Sequence, residues 1–209
     1  MTVFYIDTTS NYLYTAIVEN NKLLVEKKEC LAHDLSTFAL NEVTKMFLDV
    51  NKNVRDIDKI IVVNGPGSFT GIRIGVTIAK IISWCLNIPI TVISSLEAMS
   101  LSIDTNKLVV PVINARRNAV YGAIYSDKEC VLDEGYLKLE KLLLILNGLN
   151  EEYVFVSNDT FNDIECVKYD PDILKIVKKF QNREAINAHL VNPNYLKLTE
   201  AEENRLKEE

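Results

Sequence analysis

Twelve residues, Asn64-Gly65-Pro66-Gly67-Ser68-Phe69-Thr70-Gly71-Ile72-Arg73-Ile74-Gly75, combine glycines, hydroxyls and a guanidinium in the manner of an anion site. Glycines let a phosphate or another backbone approach closely, Ser68 or Thr70 can cap a helix, and N–H groups at a helix start favour negative charge. Neither standard nucleotide loop fits the spacing. A P-loop needs Gly-x4-Gly-Lys-Ser/Thr, whereas Gly67 and Gly71 stand too close and Ile72-Arg73 follows. The dinucleotide fingerprint needs G-x-G-x-x-G with an acid about twenty positions on. Gly65, Gly67 and Gly71 miss that register, and Ile90 to Ile93 carries no acid. A tight turn plus a helix cap accounts for the same residues without any ligand.

Asp7, followed by Thr8, Thr9 and Ser10, has the parts to hold a metal-bound phosphate, although aspartate is also a common turn residue. A kinase or ATPase clamp of this kind needs a second acidic loop. The counterpart turn, Asn114-Ala115-Arg116-Arg117, offers neither an acid nor a glycine. Arg116 and Arg117, with Arg73, could grip a phosphate or carboxylate through a two-pronged contact, or serve as surface charge. His33 and His189 are the only imidazoles, and Thr37 stands four residues after His33, so there is no His-x3-His pair. No nucleophile elbow supports a Ser-His-Asp assignment. We expect neither a metal site nor catalytic residues.

These residues need elements to position them. Lys59 to Val63 is a short β-branched run suited to a strand buried on both faces, and Val76 to Leu86 reads as a helix, so the glycine segment lies at a sheet's carboxyl edge. Val3 to Ile6, Leu13 to Val18 and Leu23 to Lys27 form a meander turning at Asn20-Asn21, and Asp34 to Val50 has a helical period. The order βββαβαβ recurs in the second half without visible sequence repetition. Its strands are Leu108 to Ile113, Val120 to Tyr125, Val131 to Leu137 and Tyr153 to Ser157, with a helix near Glu140 to Leu146. The polar stretch Leu101 to Lys107 marks the boundary, giving domains 1–103 and 104–209. Asp172 to Phe180 and the charged Thr199 to Lys207 read as further helices.

The second helix is apolar nearly all round, with only Thr77, Lys80 and Ser83 polar between Val76 and Leu86. One face must cover the sheet. The other is covered either by the first helix or by another chain, and Ile78, Ile81, Ile82 and Trp84, with Ile74, are the candidate partner anchors. The net charge of −6 opposes strong nucleic-acid binding by the chain alone. Four scattered cysteines suit free thiols in a reducing compartment, and no apolar run of about 18 residues is uninterrupted. A cytoplasmic, unanchored protein is the expectation.

The glycine segment resembles the GPGSFTGIRIG signature of the bacterial TsaB (YeaZ) family. Ile6-Asp7-Thr8-Thr9, Ser94-Ser95-Leu96-Glu97-Ala98, Ala115-Arg116-Arg117, Val120-Tyr121 and Asn192-Pro193-Asn194-Tyr195-Leu196 follow the family's order. The resemblance implies an α/β, actin-like (ASKHA) fold of two RNase H-like βββαβα domains, the second truncated. It also implies a scaffold or activator without its own active site. A TsaD-like paralogue would transfer threonylcarbamoyl to the adenosine beside the anticodon of tRNAs reading ANN codons, and a TsaE-like protein would supply ATPase activity. The implied partners are that paralogue, the TsaE-like ATPase in the complex, and a second copy when the chain is alone. ATP or ADP would belong to the complex, tRNA would enter only through it, and the N-terminal helices would form the interfaces. Asn114 and Ala119 depart from the family's usual aspartate and glutamate. The older glycoprotease label finds no support in these residues. A rival reading is an autonomous ASKHA ATP-binding enzyme using Asp7. A weaker one is a direct tRNA-binding module.

Overall fold

The computed structural model describes residues 1–127 and 129–197. They fall into two compact units, one of Met1–Asp104 with Tyr169–Pro193, the other of Thr105–Lys168 with the chain from Asn194.

Unit 1 begins with β1 (Thr2–Asp7), β2 (Tyr12–Glu19) and β3 (Lys22–Cys30), then α1 (Leu35–Asp49), β4 (Lys59–Val63), α2 (Phe69–Leu86), β5 (Ile90–Ile93) and α3 (Ser95–Met99). The sheet order is β3-β2-β1-β4-β5. The meander is antiparallel, while β4 and β5 add in parallel to β1 through helical crossovers. Asn20 and Asn21 both take the left-handed conformation that a two-residue hairpin turn requires. Every residue of β1 and β4 is buried, as expected of central strands covered on both faces.

Unit 2 repeats the plan with β6 (Leu108–Asn114), β7 (Ala119–Ser126), β8 (Glu129–Lys138), α4 (Leu139–Leu149), β9 (Tyr153–Ser157) and β10 (Cys166–Lys168). Its order, β10-β9-β6-β7-β8, is the unit 1 order read from the other edge. No helix connects β9 to β10, which is the trimming expected of the second half. The topology is that of the actin-like class, two RNase H-like units.

The chain then returns to unit 1 as α5 (Ile173–Phe180). On one face of the first sheet, Phe4, Ile6, Ile60 and Val62 form a core with α1 and α2. α5 packs on β1, β2 and β3 and buries Ile173, Ile176, Val177 and Phe180. Each such side chain contributes about 1.5–3 kcal/mol on leaving water. The expected domain 104–209 is therefore corrected, because residues 169–193 belong to the first unit.

Other expectations also change. α2 begins at Phe69, seven residues before Val76, so most of the glycine segment is helix rather than loop. Strand β10 carries no period that a reading of the sequence could catch. On α1, Leu35, Val43 and Phe47 are buried, but Phe38, Leu40 and Leu48 are exposed. The expected helix at 199–207 lies outside the described residues. By length and composition α2 could cross a membrane. Its apolar character is used here, with Ile72, Val76 and Ala79 buried in the core of unit 1.

Candidate functional site

The turn after β1 docks into the start of α2. Thr8 Oγ1 donates to the Gly71 carbonyl (2.6 Å) and accepts from the Gly75 N–H (2.9 Å), so one hydroxyl bridges two residues a helical turn apart. The Ser68 N–H donates to the Thr9 carbonyl at 2.7 Å, and Ser68 Oγ caps α2 by accepting from the Gly71 N–H at 3.3 Å. A Cβ at Gly67, Gly71 or Gly75 would lie closer than 3.0 Å to Thr9 O, Thr8 O or Thr8 Oγ1 respectively. Gly67, just before the helix, and Gly71 admit the Thr9 and Thr8 carbonyls, and Gly75, one turn on, admits the Thr8 hydroxyl. Around them, the Gly65 carbonyl accepts from the Ser95 N–H at 2.9 Å, and Ser95 Oγ donates to the Pro66 carbonyl. The close approach that glycine permits is thus taken up internally, a purpose the four-residue period could have signalled.

Replacing Thr8 with valine keeps the shape but leaves the Gly71 carbonyl and the Gly75 N–H without their bridge. We expect a loss of about 1–3 kcal/mol in denaturant unfolding, with Thr8→Ser retaining more than half of the stability difference. Equal stability of Thr8→Val and the unaltered protein would show the bridge to be idle.

Asp7 is 2% exposed, and its Oδ1 accepts from the Thr9 N–H (2.8 Å) and Thr9 Oγ1 (2.7 Å). Burial pushes its carboxyl up to about 6, against the opposing pull of the two Thr9 hydrogen bonds. Tyr5 and Tyr169, fully buried near it, have phenols held well above their ordinary range, chiefly by the same loss of water. Neither tyrosine stands out in the sequence, since Tyr169 is remote in the chain and lies in no chemical motif. Thr8 and Thr9 meet the start of α2, and Asp7 is joined to them through Thr9, in a buried seam.

The outer side of α2 is different. Phe69 is 55%, Ile81 54% and Trp84 61% exposed. The Arg73 guanidinium stacks over the Phe69 ring, 3.8 Å from its centroid. Trp84 meets His189 edge-on at 5.6 Å, and Lys80 Nζ donates to the carbonyls of His189 (3.0 Å) and Val191 (3.1 Å), tying residues 187–191 beside the helix. Ile74, Ile78 and Ile82 are half-buried against the core shared with α1. They reach both the core and the helix surface, while Ile81 and Trp84 face outward. Thr70 is exposed near the helix start.

Arg116 and Arg117 lie on the β6–β7 hairpin of unit 2 and are both exposed. Asn114 orders that bend, its N–H donating to Asp159 Oδ2 (2.7 Å) and its Oδ1 accepting from the Arg116 N–H (2.8 Å). Ala119 is buried. Among the described residues no group of three or more His, Cys, Asp or Glu side chains is gathered as a metal would require.

A family model described as TsaD, tRNA N6-adenosine threonylcarbamoyltransferase, matches residues 29–203. The tRNA threonylcarbamoyladenosine biosynthesis protein TsaB of Bacillus subtilis (strain 168) is 31% identical over 221 residues, covering 97% of this chain and 96% of the relative. That of Buchnera aphidicola subsp. Baizongia pistaciae is 24% identical, covering 93% and 97%. Among solved structures, YeaZ from Pseudomonas aeruginosa superposes with a TM-score of 0.77 at 19% identity over 93% of this chain and 99% of that one. An uncharacterized protein with similarity to peptidase YeaZ from the same organism gives 0.78 at 18% identity, over 94% and 99%. The full-length match in sequence, together with the shared fold, places this chain in the TsaB (YeaZ) family.

Proposed function

We propose that this chain acts in tRNA threonylcarbamoyladenosine formation as a non-catalytic partner of a TsaD-like transferase, which seats on the outer face of α2. The observation that carries this reading is the row Phe69, Ile81 and Trp84, large apolar side chains more than half exposed on a helix whose other face is locked into the core. Such side chains on a rigid support are the usual anchors of a protein interface. The names of the relatives supply the pathway. The autonomous ATP-binding reading is not favoured, since Asp7 is closed off by Thr9 and the glycines are filled by the chain's own turn.

In this reading a second copy covers the same face when the transferase is absent. ATP or ADP turnover and a TsaE-like ATPase belong to the assembled complex, tRNA is modified only there, and the assembly is cytoplasmic. The test is binding of the TsaD-like protein from the same cell to the unaltered chain and to Ile81→Asp. Because Ile81 points outward, the variant should unfold at the same temperature while its affinity falls more than about tenfold. Unchanged affinity in a folded Ile81→Asp would remove α2 as the docking face. ATP turnover by the isolated chain, lost in Asp7→Ala, would overturn the non-catalytic assignment.

A further inference from the structure

Unit 2 contains a cavity of about 270 Å3 at the carboxyl ends of β6 and β9, lined in part by Asn114, Arg116, Arg117, Asn118, Thr160 and Asn162. The carboxyl edge of parallel strands is where α/β sheets hold ligands. The hairpin that supplies the two arginines is unusual in one respect. Ten described residues other than glycine have positive φ: six are asparagine, one is Asp127, one is Ala32, and the remaining two are Arg116 and Arg117. Asparagine and aspartate tolerate the left-handed conformation through local hydrogen bonding, whereas a residue with a long side chain gains nothing from it. Arg116 and Arg117 break the habit side by side, at φ 62° and 53°, just before Asn118 at 56°. A bend that needed only its backbone path would be met at lower cost by the residue this chain uses elsewhere. The side chains are therefore what positions 116 and 117 supply, and both line the cavity.

The surroundings add positive charge. Lys138 Nζ donates to the Arg117 carbonyl at 2.8 Å, which puts a third cation on the hairpin of a chain whose net charge is −6. Asp163 is the carboxylate in the lining, and Asp159 Oδ2 is engaged by the Asn114 N–H. We propose that this cavity is a seat for a phosphate group, gripped by the Arg116 and Arg117 guanidiniums with Asn118, Thr160 and Asn162 as further polar contacts. Two adjacent forks offer more parallel N–H donors than the two oxygens of a carboxylate can use, and a phosphate has the oxygens to match them. The volume exceeds what a bare phosphate fills, so the group comes on a nucleotide, either free or within an RNA strand. All of these residues belong to unit 2, so the seat stands whether or not a transferase docks on α2.

Calorimetric titration of the full chain with inorganic phosphate, AMP and a short anticodon-stem-loop RNA tests it. The informative variant is Arg116→Asn with Arg117→Asn, which adopts the chain's own choice for left-handed positions and should melt no lower than the unaltered protein. We expect AMP or the RNA to bind, with affinity about tenfold or more weaker in the double asparagine variant. The conservative pair, Arg116→Lys with Arg117→Lys, should fall between, keeping charge without the forks. Binding of AMP without the RNA assigns a free nucleotide, and binding of the RNA without AMP assigns a strand. The proposal is overturned if no probe binds at millimolar concentration, if the double asparagine variant binds as well, or if Arg55→Asn, an exposed arginine of unit 1, weakens binding equally.

Discussion

Alanine at Gly71 lowers the stability of the protein by about 3 kcal/mol, and alanine at Gly75 does so by somewhat less. Helix propensity alone predicts the reverse. Both residues lie inside α2, where replacing glycine with alanine ordinarily gains up to about 1 kcal/mol by restricting the unfolded chain. The opposing term is steric. At Gly71 the new methyl meets the Thr8 carbonyl oxygen, a backbone atom in a buried turn, and relief requires α2 to part from the end of β1. At Gly75 it meets Thr8 Oγ1, which can rotate away, but only by giving up its hydrogen bonds to Gly71 and Gly75. Overpacking costs about 1–3 kcal/mol and more where backbone must move, with about 1 kcal/mol for each lost hydrogen bond, so the steric term wins. For a chain of this length the melting temperature falls by about 6–12 °C. Gly148→Ala is the control, since nothing lies within 4 Å of a Cβ there, and it should be neutral or stabilising by a few tenths of a kcal/mol. A Gly71→Ala protein as stable as Gly148→Ala would show that the seam can open without cost. Since α2 also carries Phe69, Ile81 and Trp84, a displaced α2 would weaken partner binding as well.

The seam shows where local sequence reasoning succeeds and where it stops. Strand β4 is legible to the residue because both faces are covered, leaving an unbroken β-branched run. The hairpin at Asn20-Asn21 is legible because its backbone demands residues that tolerate positive φ. Glycine is ambiguous, since the same residue type marks a loop that must bend and a helix that must be approached. The first meaning hides the start of α2 at Phe69, although the spacing of Gly71 and Gly75 is that of a helix face. The helical signal of α5 is local and readable, but the choice of sheet is not. That choice depends on which sheet has a face left uncovered, a property of the assembled unit rather than of residues 173–180. The candidate site divides in the same way. Trp84 and Ile81 stand out because the helix is more apolar than one buried face needs. The nearness of Asp7 to Tyr169 is invisible until the chain has returned to unit 1.

Asp7→Asn stabilises the protein at neutral pH, by an amount on the order of 1–3 kcal/mol that disappears in acid. The sign follows from the direction of the shift. The carboxyl titrates at about 6 in the fold against 3.8 for the ordinary side chain, so between those values the folded state binds more protons than the unfolded one. The contribution of Asp7 to stability is thus fully present below about 4 and is lost as pH rises through 6. Above that, the fold carries an ionised carboxylate at 2% exposure, compensated only in part by the Thr9 N–H and Thr9 hydroxyl. An asparagine oxygen can accept both of these bonds without the charge. The stability difference between Asp7→Asn and the unaltered chain, measured by denaturant unfolding from pH 4 to pH 8, removes the background from other carboxylates. Glu19 and Glu42, whose pKa values are lowered chiefly by hydrogen bonds from Lys52 and Lys27, act equally in both proteins and cancel in the difference. A difference that stays flat across this range would show that Asp7 is not buried as a costly charge. The same series separates the two functional classes. A carboxylate kept ionised to hold a metal-bound phosphate would recover its cost when MgATP binds, so MgATP would stabilise the unaltered chain and not Asp7→Asn. For a seam whose hydrogen bonds are already spoken for, MgATP leaves the Asp7-dependent difference unchanged.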